Sequence, residues 1–187
     1  DMIPSAIIEP TDDPELLKKN VAAALAFGAP MTVVIANMGD PRTATATAAR
    51  TGLVTIGTEA GGGGNGSLPA LRVCRRGVRN VLAHFGVIDG KYAEPKRGDG
   101  KVLELPGSKA YVFATMDGIF EAFHDNGREV RAGEAAGRIH CTWDPTREPE
   151  TLHYQTDGIL YGRRQPGRVT GGNCCLVVAA PYEGVLA

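Results

Sequence analysis

The chain has 187 residues, which at roughly 150 residues per domain corresponds to one domain and a fraction of another. Its 20 basic and 21 acidic side chains give a net charge of −1, so it lacks the concentrated positive charge that nucleic acids or anionic membranes select. Hydrophobic residues make up 43% of the chain and charged residues 22%, which indicates a globular rather than a disordered protein.

The first 107 residues alternate between strand-like and helix-like segments. An Asp-Asp-Pro sequence at 12–14 supplies a helix N-cap and an early proline, and Gly28 stands where a left-handed residue ends a helix. This alternation predicts an α/β sheet flanked by helices. The predicted helices cover residues 15–27, 42–50 and 68–85, and the predicted strands cover residues 31–36 and 53–57.

The remainder of the chain, residues 108–187, changes to short strands and glycine turns and contains an internal repeat. Asp117-Gly-Ile-Phe recurs as Asp157-Gly-Ile-Leu, and Gly127-Arg recurs as Gly167-Arg. Each copy has the pattern of a strand, a tight turn and a second strand. Two such copies predict a small β sandwich or barrel. The Lys-, Gly- and Asp-rich residues 92–106 are predicted to be the linker between the two regions.

The compartment is indicated by cysteine usage and by the absence of targeting signals. No C-x-x-C spacing occurs, so we expect free thiols in a reducing cytoplasm rather than a zinc site or disulfides. No apolar run approaches the ~20 residues that span a bilayer, and no signal peptide is recognised, so we expect a soluble, cytoplasmic protein. The cysteines are Cys74, Cys141, Cys174 and Cys175.

A glutamate followed by a glycine run is the most informative stretch of the chain. Glu59 comes just after the predicted strand 53–57, and four glycines, Gly61 to Gly64, follow it. α/β sheets bind ligands at the carboxyl ends of their strands, and glycines let a substrate approach the backbone closely. The carboxylate is therefore suited to act as a general base or a metal ligand. The alternative is an ordinary acidic residue in a surface loop.

Two other kinds of site are disfavoured. The glycine run lacks the Lys-Ser or Lys-Thr of a phosphate-binding loop, and Glu59 would repel phosphate. The histidines do not occur in H-x-x-E, H-x-x-H or H-E-x-x-H spacing, so we expect structural roles for them and no metal site formed by this chain alone. The histidines are His84, His124, His140 and His153.

Four arginines follow one another at helical spacing in the predicted helix 68–85. Residues three or four positions apart are neighbours on a helix surface, so these side chains are predicted to form one face. The face is either solvated surface or a clamp for a carboxylate. The arginines are Arg72, Arg75, Arg76 and Arg79.

Together with the glutamate–glycine motif, the sequence Arg76-Gly-Val-Arg-Asn-Val-Leu and the pair Phe85-Gly resemble the succinylglutamate desuccinylase/aspartoacylase family. These proteins are zinc amidohydrolases related to the carboxypeptidases. The resemblance runs through the whole chain and, within the family, is greatest to the N-acetyl-diaminobutyrate deacetylases of ectoine degradation. It implies that residues 1–107 are the C-terminal part of a catalytic domain with a carboxypeptidase-like mixed sheet, followed by a β domain over residues 108–187.

The chain departs from the family pattern at the metal site. The family holds zinc with H-x-x-E and a later Asp-x-His segment, and neither sequence occurs here. The resemblance therefore implies zinc ligands N-terminal to residue 1. We expect the chain to be a fragment that starts inside a domain and is inactive when isolated.

For the complete enzyme, the resemblance implies hydrolysis of an N-acyl amino acid, with N-acetyl-L-2,4-diaminobutyrate giving diaminobutyrate and acetate. Zinc would activate a water and polarise the acyl carbonyl, and an arginine upstream of this chain would also stabilise the oxyanion. Glu59 matches the family's general base. Tyr182 and Arg79 are candidates for substrate contacts. The expected partner is a small N-acyl amino acid, and the sequence leaves a homo-oligomer open.

Two alternatives remain open. The substrate could instead be of the N-succinylglutamate or N-acetylaspartate type. In a different functional class, the Asp-Gly-Ile repeats resemble the halves of a lipoyl or biotinyl barrel, which would make the chain a non-catalytic binding or structural module. Such carriers present a lysine between the halves, and residues 140–147 contain none, so we expect no modification.

Overall fold

We describe the protein from a computed structural model, which covers residues 1–35, 42–64, 66–94 and 101–184. The chain divides into two compact units. The α/β unit consists of the described residues within 4–61, 66–104 and 181–187. The β unit consists of those within 1–3, 62–65 and 105–180.

Four short strands of the α/β unit pair side by side in the order β3-β1-β2-β4. β1, β2 and β4 are parallel to one another, whereas β3 runs antiparallel to β1. The strands are β1 (Ser5–Ile8), β2 (Met31–Val34), β3 (Gly57–Glu59) and β4 (Val102–Glu104).

Helix α1 (Pro14–Phe27) has the ends that the sequence predicts. The Asp13 carboxylate accepts hydrogen bonds from the backbone N–H groups of Glu15 and Leu16, at 3.0 and 3.2 Å, and Gly28 ends the helix with a φ of 68°. The other helices are α2 (Ala44–Arg50) and α3 (Leu68–His84).

Helices α1 and α3 pack closely because one position lacks a side chain. A Cβ atom at Gly77 of α3 would overlap with the aromatic ring of Phe27. Val73 and Val81 of α3 contribute to the same apolar cluster as Phe27 and Ala24. The glycine therefore sets how closely the two helices approach.

Two predictions for this unit are wrong. The strand predicted over residues 53–57 is found at Gly57–Glu59 instead. The predicted linker 92–106 contains β4, because Leu103 is buried and pairs with Val33 of β2. The strand predicted over 31–36 is found at Met31–Val34; position 36 lies outside the described residues.

The β unit contains two sheets that enclose one hydrophobic core, as the sequence predicts. One sheet has the order β7-β10-β12-β5, and the other has the order β11-β6-β8-β9. The core includes Phe120 and Ile139 of the second sheet and Leu160 and Leu176 of the first. The strands are β5 (Tyr111–Phe113), β6 (Gly118–Ala122), β7 (Glu129–Val130), β8 (Ala135–His140), β9 (Glu150–His153), β10 (Gly158–Arg163), β11 (Arg168–Val169) and β12 (Cys174–Pro181).

The two sequence copies exchange strands. β6 of the first copy pairs with β11 of the second, and β10 of the second pairs with β7 of the first. The aspartates repeat this exchange: Asp117 accepts a hydrogen bond from the N–H of Gly171 at 2.8 Å, and Asp157 accepts one from the N–H of Ala132 at 2.7 Å. Each Asp-Gly pair thus holds a turn that belongs to the other copy.

The glycine of each Asp-Gly pair is needed for the same steric reason. A Cβ atom at Gly118 would overlap with the carbonyl oxygen of His140, and one at Gly158 would overlap with that of Ala179. The recurring motif is therefore explained by the fold of the β unit.

The solvent-facing side of β6 and β8 carries a charged cluster. The exposed Glu121 carboxylate lies 2.8 Å from Nε of Arg138 and 2.6 Å from Nε2 of His140. Hydrogen bonds, first from Arg138 and then from His140, lower the pKa of Glu121 to about 2.

All four cysteines are free thiols, and those of Cys141 and Cys175 are buried. Burial raises the pKa of the Cys175 thiol to about 11, which disfavours the reactive thiolate. No helix within the described residues combines the length and apolar character needed to cross a membrane.

Overpacking the α1–α3 contact tests its role. We expect Gly77→Ala to lower the free energy of unfolding by about 1–3 kcal/mol, because the added methyl group meets the Phe27 ring. The cost should be smaller in a Phe27→Leu background. Urea unfolding measures both values. Gly90→Ala is the matched control, since no atom lies within 4 Å of a Cβ there. If Gly77→Ala lowered the free energy of unfolding equally in both backgrounds, the Phe27 ring would not be the group that the added methyl meets.

The low pKa of Glu121 predicts a window of acid sensitivity. Because its folded-state pKa is about 2, below the ordinary value of 4.5, its stabilising contribution is fully present above about pH 4.5 and is lost as the pH falls toward 2. We therefore expect Glu121→Gln to reduce the change in unfolding free energy between pH 5 and 2. Urea unfolding across this range is the measurement, with the exposed Glu148→Gln as control. An unchanged pH dependence in Glu121→Gln would refute the prediction.

Candidate functional site

Glu59 is the last residue of β3, and its register with β1 fixes its place in the sheet. It pairs with Ser5, the first residue of β1, which in turn pairs with Met31, the first residue of β2. Glu59 therefore lies at the amino ends of the parallel strands. The expectation that it lies at their carboxyl ends is wrong, because β3 runs in the opposite direction.

The Glu59 carboxylate is partly exposed and makes no hydrogen bond or ion pair with any residue that the structure describes. The residue before it is held in place, since the hydroxyl of Thr58 donates to the carbonyl oxygen of Ser5 at 2.8 Å. A carboxylate without a cation or donor beside it keeps its lone pairs available to accept a proton. The local structure therefore suits a general base on a fixed strand.

The four glycines after Glu59 have a backbone role. All four have positive φ, from 71° at Gly63 to 157° at Gly62, which residues with a side chain rarely adopt. Within the β unit, a Cβ at Gly62 would lie 3.0 Å from Cα of Asp1, and one at Gly63 would collide with the carboxamide of Gln165. The sequence predicts that the glycines let a substrate approach the backbone closely. In the described residues, the groups that approach Gly62 and Gly63 closely are Asp1 and Gln165 of the protein itself.

The arginines of α3 do not share one environment, which corrects the prediction of a single face. Arg76 is buried and donates from Nη2 to the carbonyl oxygen of Gly28 at 3.0 Å, whereas Arg72, Arg75 and Arg79 are exposed. Its cation thus lies at the C-terminal end of α1, where the helix dipole is negative.

Arg79 forms an exposed ion pair rather than standing free. Its Nη1 lies 3.3 Å from Oε1 of Glu94, and both side chains are about half exposed or more. The Asn80 side chain holds the same segment by exchanging two hydrogen bonds with the backbone of Glu94. The candidate substrate contact at Arg79 therefore already has a partner.

Tyr182 lies at the same end of the strands as Glu59, but beside β4, whereas Glu59 belongs to β3. Its backbone N–H donates to the carbonyl oxygen of Val102 in β4 at 3.1 Å, and its ring packs against the core of the α/β unit. Val102 and Thr58 lie in one row across the four strands. Three strand spacings separate them, which is roughly 14 Å. The two candidate residues therefore lie at the same end of the strands, Glu59 at β3 and Tyr182 beside β4, and do not contact each other.

Sequence reasoning named Arg76 but did not predict its burial, and it missed the buried Tyr154 altogether. The hydroxyl of Tyr154 lies 3.1 Å from Nδ1 of His124, and burial raises its pKa to about 12. Nothing in the local sequence distinguishes this tyrosine from an exposed one. Its partner His124 lies thirty residues away, so only the fold reveals the pair.

The described residues do not provide a zinc site. No three His, Cys, Asp or Glu side chains among them are close enough together to hold a metal ion. His124 instead contacts Tyr154, and His140 contacts Glu121. Among the residues that the structure describes, none therefore fit the zinc that the family resemblance implies.

No protein-family model matches the chain. Among curated proteins, it is 29% identical over 188 residues to the N-alpha-acetyl-L-2,4-diaminobutyric acid deacetylase of Halomonas elongata. That alignment covers 99% of this chain and 54% of the relative.

Two of the solved structures that match this chain share its fold with high TM-scores. The succinylglutamate desuccinylase/aspartoacylase from Rhodobacter sphaeroides matches with a TM-score of 0.89 and 39% identity, covering 98% of this chain and 55% of that one. The product-bound ectoine utilization protein EutE (DoeB) from Ruegeria pomeroyi matches with a TM-score of 0.87 and 28% identity, covering 96% and 54%.

The chain spans about half the length of each of these relatives. The matches confirm both the mixed α/β fold with a β region and the resemblance predicted from the sequence. The chain is a homologue of an N-alpha-acetyl-L-2,4-diaminobutyric acid deacetylase, and its structural neighbours are succinylglutamate desuccinylase/aspartoacylase proteins.

Proposed function

We propose that this chain is part of an N-acyl amino acid deacylase that hydrolyses N-acetyl-L-2,4-diaminobutyrate to diaminobutyrate and acetate. The observation that carries the proposal is the match of 99% of the chain to the Halomonas deacetylase. The free carboxylate at the end of β3 supports it, because amide hydrolysis needs a group that accepts a proton from water.

In this proposal Glu59 is the general base. It takes one proton from a water molecule while the water oxygen bonds to the acyl carbon. As the carbon–nitrogen bond breaks, Glu59 returns that proton to the leaving amine. The products are the free amine and a carboxylic acid, so atoms and charge balance, and Glu59 ends as it began.

Zinc enters the proposal only through the family resemblance. The resemblance implies zinc ligands N-terminal to residue 1, and we assign no step to the metal. A cytoplasmic location is supported by the four free thiols, which are typical of a reducing compartment.

The acyl group defines a second candidate function. The Rhodobacter neighbour, at 39% identity, is described as a succinylglutamate desuccinylase/aspartoacylase, which favours testing N-succinylglutamate and N-acetylaspartate beside the acetylated diaminobutyrate. A purely structural lipoyl-like role has less support, because residues 140–147 offer no lysine for attachment.

Replacing Glu59 by glutamine tests the central assignment. The change keeps the size of the side chain and removes the proton acceptor, so we expect kcat to fall by about 10²–10⁴-fold. The assay measures hydrolysis of N-acetyl-L-2,4-diaminobutyrate by the full polypeptide that carries this chain, with metal content determined in parallel. Glu15→Gln, an exposed change on α1, is the control and should leave kcat unchanged.

Three outcomes of this assay separate the hypotheses. Near-normal turnover of Glu59→Gln at normal metal content contradicts its role as the base. Loss of metal together with activity makes Glu59 a ligand or a folding residue. A wild-type protein that hydrolyses none of the three N-acyl amino acids refutes the proposed function itself.

Tyr182 is the stronger of the two proposed substrate contacts, because Glu94 already pairs with Arg79. We expect Tyr182→Phe to raise KM about 3- to 10-fold with little change in kcat, since the lost hydrogen bond contributes about 0.5–1.5 kcal/mol. Steady-state kinetics with the same substrate measure this split. Tyr92→Phe, at an exposed tyrosine of the same unit, is the control. An unchanged KM in Tyr182→Phe would rule out a contact through its hydroxyl.

A further inference from the structure

The β unit contains a cleft beside strand β6 that has no role in the proposed function. Its volume is about 320 Å³, which lies at the lower end of the range of small-molecule sites. Seven residues line the cleft, and all of them belong to the β unit. They are Phe120 and Ala122 of β6 and residues 163–167 (Arg-Arg-Gln-Pro-Gly), which lead from the end of β10 to β11.

The apolar part of the lining is fixed in place. Phe120 belongs to the hydrophobic core, and Ala122 packs against that core. The segment after β10 is tied to the same strand, because the backbone N–H of Phe120 donates to the carbonyl oxygen of Gly167 at 2.8 Å. A Cβ atom at Gly167 would lie only 3.2 Å from the carbonyl oxygen of Phe120, so the missing side chain permits this close approach. The cleft is therefore formed before any ligand binds.

The polar part of the lining contains two half-buried guanidinium groups. Arg164 is oriented through Nε, which donates to the carbonyl oxygen of Arg168 at 3.2 Å. Its two Nη atoms make no hydrogen bond or ion pair with the part of the chain that the structure describes. Arg163 pairs through Nη1 with Oδ1 of Asp125 at 2.7 Å. Because the Asp125 side chain is 90% exposed, water screens this ion pair, which therefore contributes little.

The charge of the lining indicates what the cleft can bind. None of the seven residues is acidic, and the two arginines give the lining a formal charge of +2. Cations in a concave lining attract an anion, and a planar guanidinium group can donate two parallel hydrogen bonds to a carboxylate. The apolar residues of β6 can contact a short hydrocarbon tail, whereas they would desolvate a second charged group.

We propose that this cleft binds a small monocarboxylate with a short, uncharged tail. The carboxylate accepts hydrogen bonds from the Nη atoms of Arg164 and from the remaining donors of Arg163, and the tail contacts Phe120 and Ala122. A ligand whose tail ends in an ammonium group is disfavoured, since that cation would lose water against the apolar residues without gaining a carboxylate partner. The proposal goes beyond the proposed deacylase function and does not depend on it.

Binding of butyrate tests the proposal. The full polypeptide that carries this chain is isotopically labelled at arginine, and the Nε–H signals of Arg163 and Arg164 are followed by NMR. Each signal is assigned by its absence from Arg163→Gln or Arg164→Gln. We expect butyrate to shift both signals with a Kd of about 1–10 mM, because so small a ligand makes few contacts. Inorganic phosphate and 4-aminobutyrate should bind at least about tenfold more weakly, and butylamine should cause no shift.

The arginine variants test which group holds the carboxylate. Arg164→Gln removes the charge but keeps much of the side-chain length, so the Kd of butyrate, followed at Arg163, should rise about tenfold or more. Arg131→Gln, at an exposed arginine of the β unit outside the cleft, is the matched control and should leave this Kd unchanged. Unchanged signals of the other arginines show that each variant is folded.

Three results would overturn the proposal. The first is that butyrate saturates neither arginine signal, and the second is an equal Kd in Arg164→Gln and the wild-type protein. The third is phosphate or 4-aminobutyrate binding as tightly as butyrate, because the cleft would then not select an uncharged tail. No turnover is measured, so an inactive deacylase would leave these results unchanged, and failure of the proposed function can be distinguished from failure of this proposal.

Discussion

The antiparallel pairing of β3 with β1 is the constraint on which the candidate site depends. It aligns Glu59 with Ser5 and so places the carboxylate at the amino ends of the parallel strands. The same pairing makes β3 the outermost described strand of the α/β unit. It also places Gly57 in the lining of an apolar groove, together with Val78 and Leu82 of α3. If β3 ran parallel to β1, the carboxylate would lie at the opposite end of the sheet. Tyr182 would then lie far from it.

The packing of α1 against α3 has a steric cause. The missing side chain at Gly77 lets the Phe27 ring lie against α3, and Arg76 donates to the carbonyl at the end of α1. With this inner face occupied by α1, the apolar residues on the other side of α3 remain exposed.

The sequence predicted those features of the fold that depend on neighbouring residues in the chain. The ends of α1 could be read from Asp13, Pro14 and Gly28, because caps act within one turn, and the repeated Asp-Gly pairs located the β unit. Strands of three residues, such as β3 and β4, are too short to show alternation, so they were misplaced or missed. The direction of β3, and hence the surroundings of Glu59, depends on a partner more than fifty residues away. No local pattern encodes it.

The exchange of strands and aspartate contacts between the two copies has a consequence for how the β unit forms. Asp117 and Asp157 each hold a turn of the other copy, over separations of 54 and 25 residues. Neither copy can complete its sheets or satisfy its turns alone, so a half-formed unit gains little of the final stabilisation. Contacts of long sequence separation slow folding, because loop-closure entropy must be overcome first. The β unit should therefore assemble as one cooperative step, with its duplicated halves becoming ordered together rather than in succession.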